Sequence, residues 1–385
     1  MNVTETQPNT EIKNKVDFNL FDIVGIRLEN PTDDDIKSIK NQLGVEPKDI
    51  NNEPDITIRF TSKLYTPNFS FIGLNSAGFT EDNFFLISEE SPDKKIQIPF
   101  EKIGGRINII CEQGVKSIPL LNDIINFTFL GKNYLPLHSS GLYFNGKGLL
   151  IMAWANGGKT STLISFARHG ASYVGDEWIV LSPNDNLMYG LPGTISIKEW
   201  QLKQISQLLP KIEFKKRIVF AAVHLIDSIH KYIKKIGFGK STVAGLLAKA
   251  LPALKRQLKI EILPEKIFTD KQQKNGTPID FILLAVSHDD FKILVEKCDW
   301  FEIAGRMINS NKFEQLSFLK FYNVFKFAFP EKTNEFLENS GYIQNQLLLK
   351  AFNNKNSFKV FHPYPVEIEQ LYNQINQTIF ESKTI

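Results

Sequence analysis

Residues 142–170 read LYFNGKGLLIMAWANGGKTSTLISFARHG, and this stretch constrains the fold more than any other. Two apolar runs flank Asn145-Gly146, a pair that tolerates positive φ at both positions and marks a two-residue hairpin. The second run enters AWANGGKT (153–160). Leu163, Ile164 and Ala167 then recur on one helical face, with Arg168 and His169 in the last turn and Gly170 at the C′ position. A strand that enters a glycine-rich turn and leaves it as a helix aims backbone N–H groups and a positive dipole end at one point, which is an anion site. The pattern G-x-x-x-x-G-K-[ST] is complete except at its first position, where Ala153 stands for glycine. If φ is strained there, the extra methyl group costs on the order of 1 kcal/mol. The N–H groups of Asn156, Gly157, Gly158, Lys159, Thr160 and Ser161 are expected to cradle phosphates, with Lys159 reaching the outer ones and the Thr160 hydroxyl ligating Mg²⁺. ATP and Mg²⁺ are therefore the expected cofactors.

Neighbouring residues supply candidate chemistry. A symmetric two-residue loop pairs Phe144 with Lys147, and the same register extended places His138 opposite Ala153, at the edge of the loop. His138 is then either a structural histidine at a strand start or part of the site. After the helix, SYVGDEWIVL (172–181) reads as the next strand. A right-handed β–α–β crossover would return it parallel to the first, with Asp176-Glu177 near the loop. Phosphoryl transfer needs two acidic functions there, one for the acceptor hydroxyl and one for the metal. The competing expectation is a turn at Gly175-Asp176. A second Gly-Lys-Ser, in GFGKST (237–242), follows no apolar strand and reads as a break between helices.

In order and spacing, His138, AWANGGKT (153–160), Arg168-His169-Gly170 and Gly175-Asp176-Glu177 resemble the C-terminal catalytic domain of bacterial HPr kinase/phosphorylase. There are 21 residues from His138 to Lys159 and 17 from Lys159 to Asp176, and the block covers roughly an eighth of the chain. The layout also resembles HPr kinase-related serine kinases, which share an N-terminal α+β region, GDEW and a C-terminal segment like HPYPVEIEQL (362–371). The resemblance implies a P-loop kinase core in which Asp176 is the general base, His138 supports it, and Glu177 is the second acid near the metal. Glu177 stands where that family has aspartate. YGLPGTIS (189–196) lacks the Glu and Arg that HPr kinases carry ahead of Gly-Leu-Gly, so neither phosphorylase activity nor HPr as substrate is carried over.

The expected organisation is α/β. A disordered tail (1–18) precedes an N-terminal α+β domain (19–132) whose clearest helix runs from Asp33 to Leu43. The kinase-like domain (133–300) holds a basic helical insertion (201–275), and a helical region (301–385) follows. Pro210 and KQQKNGTP (271–278) are the plainest breaks. Between Ser228 and Ile260 stand eight basic residues (Lys231, Lys234, Lys235, Lys240, Lys249, Lys255, Arg256, Lys259) and no acid. This segment is either a solvated face around a helical core, or a lid, docking surface or contact with acidic lipid. His288-Asp289-Asp290 reads as a turn rather than a metal cluster, and His362-Pro363-Tyr364-Pro365 as a rigid turn before the last helix.

Composition excludes several classes. A formal charge of +3 gives no reason to expect nucleic acid as a partner. Cys111 and Cys298, the only cysteines, make neither a disulfide framework nor a zinc site. No apolar run approaches the ~18 residues of a membrane span, and the start is polar, so a cytoplasmic protein is expected. The expected activity is transfer of the γ-phosphoryl group of ATP to a hydroxyl, on a seryl side chain or a small alcohol, with an anionic acceptor and a homo-oligomer left open. The alternatives are a nucleotide-binding regulatory module without transfer, and a simple NTPase.

Overall fold

Alternating apolar residues build the first half of the chain into one sheet. The strands are β1 (Lys15–Leu20), β2 (Val24–Glu29), β3 (Ile56–Thr61), β4 (Ser70–Ile72), β5 (Ala77–Phe79), β6 (Phe84–Ile87), β7 (Lys95–Gln97) and β8 (Ile107–Glu112), in the order β1-β2-β3-β8-β7-β6-β5-β4. Helix α1 (Asp33–Leu43) begins at a capping box: Thr32 Oγ1 accepts from Asp35 N–H, and the Asp35 carboxylate accepts from Thr32 N–H. Gly44, at φ 68°, ends it. Helix α2 (Leu121–Gly131) leads out of this region. The computed structural model describes residues 11–73, 76–205, 214–235, 242–268 and 276–381.

The second half is α/β. It opens with β9 (Leu135–His138), β10 (Ser140–Phe144), β11 (Lys147–Met152), α3 (Lys159–Ala167), β12 (Ser172–Gly175), β13 (Trp178–Ser182) and β14 (Leu187–Gly190). Next come β15 (Ile195–Lys198), α4 (Glu199–Gln204), α5 (Phe214–Lys235), α6 (Thr242–Lys255), β16 (Lys259–Ile262) and β17 (Thr277–Pro278). The chain continues through β18 (Phe281–His288), β19 (Leu294–Lys297), α7 (Trp300–Glu314), α8 (Leu316–Ala328), α9 (Glu335–Phe352), β20 (Asn356–Pro363) and α10 (Ile368–Asn376). A six-stranded sheet has the order β12-β10-β11-β18-β20-β19, with β11, β18 and β20 parallel. A four-stranded sheet runs β17-β14-β13-β9, and β15 pairs with β16. Helix α3 packs with α10 against the six-stranded sheet, through Leu163, Ile164, Phe166, Leu371 and Ile375. The C-terminal ends of the parallel strands converge on residues 153–158, as ligand sites in such sheets do.

The structure corrects several boundaries. Lys15 to Phe18, placed in the tail, belong to the paired edge strand β1, because Phe18 and Leu20 are buried. The region 301–385 is not purely helical: β20 enters the central sheet beside β18. Helices α7, α8 and α9 share one apolar cluster with the N-terminal sheet, so Phe318 and Phe325 pack on Phe100. The insertion 201–275 is not purely helical, since it includes strand β16, and within KQQKNGTP Thr277 and Pro278 form β17. Pro210 and GFGKST up to Ser241 lie outside the described residues.

Candidate functional site

Strand β11 delivers the chain into the loop and α3 carries it away. The hairpin register is the expected one, Phe144↔Lys147 through Ser140↔Ile151. Ala153 is fully buried and is not among the positive-φ residues, so the methyl group meets no backbone strain. The left-handed positions are Asn156 (φ 64°) and Gly158 (φ 111°), and asparagine tolerates that region better than most residues. Gly158 is the N-cap of α3, and the Gly157 N–H donates to Trp154 O at 2.7 Å. The helix ends one residue before Arg168-His169, with Gly170 at φ 82° beyond them.

The loop is closed from behind by the C-terminal segment. His362, fully buried at the end of β20, places Nε2 3.1 Å from the Gly157 carbonyl and Nδ1 2.8 Å from that of Pro363. A Cβ on Gly158 would lie 2.2 Å from His362 Nε2. Gly158→Ala is therefore expected to abolish nucleotide binding and to destabilise the fold by about 1–3 kcal/mol from backbone strain alone. In the Gly158→Ala, His362→Ala double variant the clash is relieved but the strain remains. ATP titration and thermal unfolding should show partial recovery; an unaffected single variant would contradict the geometry.

Lys159 is 8% exposed, and among the described residues no ion pair engages its amine. Burial lowers its pKa, opposed by Glu177, Asp176 and Glu314. Asp176 is 3% exposed, and its carboxylate accepts from the Ser140 hydroxyl and, at 3.1 Å, from Thr160 Oγ1. Burial is the main cause of its raised pKa, about 6, with the Glu177 charge adding to it; the two hydroxyls and Lys159 pull the other way.

The acidic pair does not lie inside one strand. The chain leaves β12 in the six-stranded sheet and enters β13 in the four-stranded one, and Asp176-Glu177 form the break, with Glu177 at φ 71°. The turn expectation thus describes this point better than a continuous strand. The approach to the loop holds all the same, because β12 runs in the direction of β11 with antiparallel β10 between them.

His138 is corrected in two respects. Its strand partner is Trp178 of β13, not Ala153, because the chain changes sheets at Ser139. Its ring contacts Glu177 rather than Asp176: Nε2–H donates to Glu177 Oε2 at 3.0 Å, which holds the Glu177 carboxyl below its usual range. On the other side, Nδ1 lies 2.6 Å from Glu314 Oε1, off the axis of a good hydrogen bond.

Three cavities meet here. A cleft of about 260 Å³ over the loop is lined by Asn156 to Ser161, His138, Glu177, Lys198, Lys259 and Tyr364. Lys198 Nζ donates to Asn156 Oδ1 (3.0 Å) and to Tyr364 OH (3.1 Å), and Gln201 Nε2 donates to Ser161 Oγ (3.0 Å). A larger cleft of about 670 Å³ is bounded by Asp176, Glu177 and Trp178, by the end of α1, and by Asn122 and Asn126 of α2. Glu177, Ser196 and Lys259 line both. On the outer side of the loop, a cavity of about 520 Å³ has walls of Trp154, Leu284, Val286 and Met307, and its lining includes Ser310, whose buried Oγ has no hydrogen-bond partner among the described residues.

Sequence reasoning brought together Lys159, Thr160, Asp176, Glu177 and His138. It missed Ser140, Lys198, Gln201, Glu314 and the contact of His362 with the loop. The HPYP tetrapeptide was a signal for the last of these; Glu314, at the end of an ordinary amphipathic helix, carried none. His288, by contrast, closes a turn through Lys292 O and packs its ring on Phe361, and no cluster of three or more metal-ligating side chains occurs among the described residues. No family model matches the chain, and neither does any curated protein.

Proposed function

We propose that the protein is an HPr kinase-like phosphotransferase that moves the γ-phosphoryl group of ATP onto an acceptor hydroxyl. One observation carries this reading: Lys159 opens onto the cleft over the loop, Asp176 opens onto the larger cleft, and Glu177, Ser196 and Lys259 stand between. A nucleotide and an acceptor placed in the two clefts would meet at the acidic pair. The N–H groups of residues 156–160 and the α3 dipole hold the phosphates, and Lys159 neutralises charge on the transferred group. The apolar 520 Å³ cavity accommodates the base, with Trp154 as a wall. Asp176, with a pKa near 6, is ionised at neutral pH yet basic enough to take the acceptor proton as the oxygen attacks.

Mg²⁺ fits the donor set. It keeps several waters and needs only one or two protein oxygens besides phosphate. The Thr160 hydroxyl and a carboxylate of the Asp176-Glu177 pair supply these, and the ion would add charge neutralisation at the phosphates. Thr160 touches Asp176 directly, whereas Glu177 is held by His138. Glu177→Gln is therefore expected to raise the Mg²⁺ concentration needed for half-maximal rate about tenfold, leaving the rate at saturation within a few-fold. If Glu177→Gln instead removes the rate at all Mg²⁺ concentrations while Asp176→Asn changes only the Mg²⁺ requirement, the two roles are exchanged.

The direct test is γ-labelled ATP with pooled metabolites and seryl peptides. Label in an acid-stable phosphate ester supports the proposal. Label only in free phosphate favours an NTPase, and ATP binding without turnover favours a regulatory module.

A further inference from the structure

The outer side of α5 is apolar where a surface helix is expected to be polar. Phe214, Ile218, Leu225, Ile229 and Tyr232 follow at intervals of 4, 7, 4 and 3 residues, which keeps all five on one side of the helix. Each is between 44% and 77% exposed. The stripe is about 27 Å long at 1.5 Å per residue.

It is not the residue of core packing, because α5 has a separate inner side. Phe220 and Val223 are buried there, and Phe220 joins the cluster of Leu202, Ile205 and Ile260. Two polar ties fix which side faces out: His224 Nε2 lies 2.7 Å from Glu199 Oε2, and Lys255 Nζ lies 2.8 Å from Asp227 Oδ1 of α5. An exposed apolar patch of this extent marks an interaction surface.

Charge identifies the partner. Across α5 and α6 there are eight lysines and arginines against one aspartate, Asp227, which Lys231 and Lys255 already engage. By helical position, Lys215 and Lys235 border the stripe, one on each side. A second copy docked on this side would oppose like charges. No described helix is long and apolar enough to cross a membrane. An apolar stripe between cationic margins matches a helix lying in the plane of a bilayer interface, with its apolar side at the acyl boundary and its lysines at anionic headgroups. We propose that α5, braced by α6, docks the protein on an anionic lipid surface. This holds whether or not the loop site transfers phosphate.

The test is co-sedimentation of the full chain with vesicles of phosphatidylcholine alone or mixed with phosphatidylglycerol. Partitioning is expected to be at least about tenfold stronger on the anionic vesicles and to fall as salt shortens the screening length to about 3 Å near 1 M. Leu225→Ser with Ile229→Ser should lose this retention with circular dichroism and unfolding temperature unchanged, since both side chains are exposed. Tyr232→Ser should weaken it through the same side, and Lys215→Ser with Lys235→Ser should weaken it on anionic vesicles alone. Equal binding to neutral vesicles, retention by the Leu225, Ile229 variant, or absence of binding to either vesicle overturns the proposal. So does a concentration-dependent dimer that Leu225→Ser dissolves, or equally strong binding to soluble polyglutamate that Leu225→Ser leaves intact.

Discussion

Asp176→Asn is expected to lower the rate of phosphoryl transfer about 10²–10⁴-fold, to leave ATP affinity within a few-fold, and to make the protein more stable at neutral pH. The rate loss follows from removing a carboxylate that opens onto the larger cleft with a pKa near 6. The stability gain follows from the sign of the same shift. Burial raises the folded-state pKa from 3.8 to about 6, so between those values the folded protein holds a proton that the unfolded chain has lost. Stability therefore falls as pH rises through that window, and above pH 6 the ionised, buried carboxylate is a constant penalty of up to about 3 kcal/mol. Asparagine carries no such penalty, and the hydroxyls of Ser140 and Thr160 can turn to suit an amide. Denaturant titrations should thus show the variant ahead of the wild type at pH 8 and level with it below about pH 4. In the wild type, the rate should rise with pH through about 6. A variant that keeps its activity would end the assignment of Asp176 as base, and one that is less stable at pH 8 would show that burial does not govern its pKa.

Lys159→Met is expected to weaken ATP binding by about 2 kcal/mol, or about thirtyfold, the size of a lost charge-assisted bond. Folding should be spared. The amine is buried, makes no ion pair among the described residues and has a depressed pKa, so the folded protein without nucleotide gains little from its charge. Methionine fills similar volume at this first position of α3. Lys159 is also one of the groups that lower the pKa of Asp176, so its removal should shift the rise of the residual rate to higher pH. Calorimetric titration checks the first expectation, and the pH–rate profile of the variant checks the last. Unchanged ATP affinity would show that the loop is not the phosphate site.

Local signals were legible where the chemistry is local. Asn145-Gly146 set the hairpin register, and the helix expected over roughly Asp33 to Leu43 is observed over that span. The loop between β11 and α3 stands where its glycines and lysine placed it. The concern over Ala153 disappears, because the left-handed conformations fall at Asn156 and Gly158. Errors arose where the chain changes sheets. A register extended from Asn145-Gly146 carries no sign that pairing stops at Ser139, and it therefore put His138 opposite Ala153 instead of Trp178. The apolar run around Asp176-Glu177 likewise conceals a passage between two sheets.

By itself the sequence determined the strand–loop–helix unit, the lysine at its turn, the presence of an acidic pair near it, and the basic amphipathic character of residues 228–260. Each depends on neighbours a few residues apart, so short-range periodicity and turn chemistry suffice. Only the tertiary structure decided which acid meets which partner, Asp176 with Thr160 and Ser140 and Glu177 with His138, and that Glu314 reaches His138 and His362 reaches Gly157 from the far end of the chain. It also decided which side of α5 stays in water. Those outcomes depend on burial and on pairings between distant segments, and a linear pattern records a residue's character without recording what it will face.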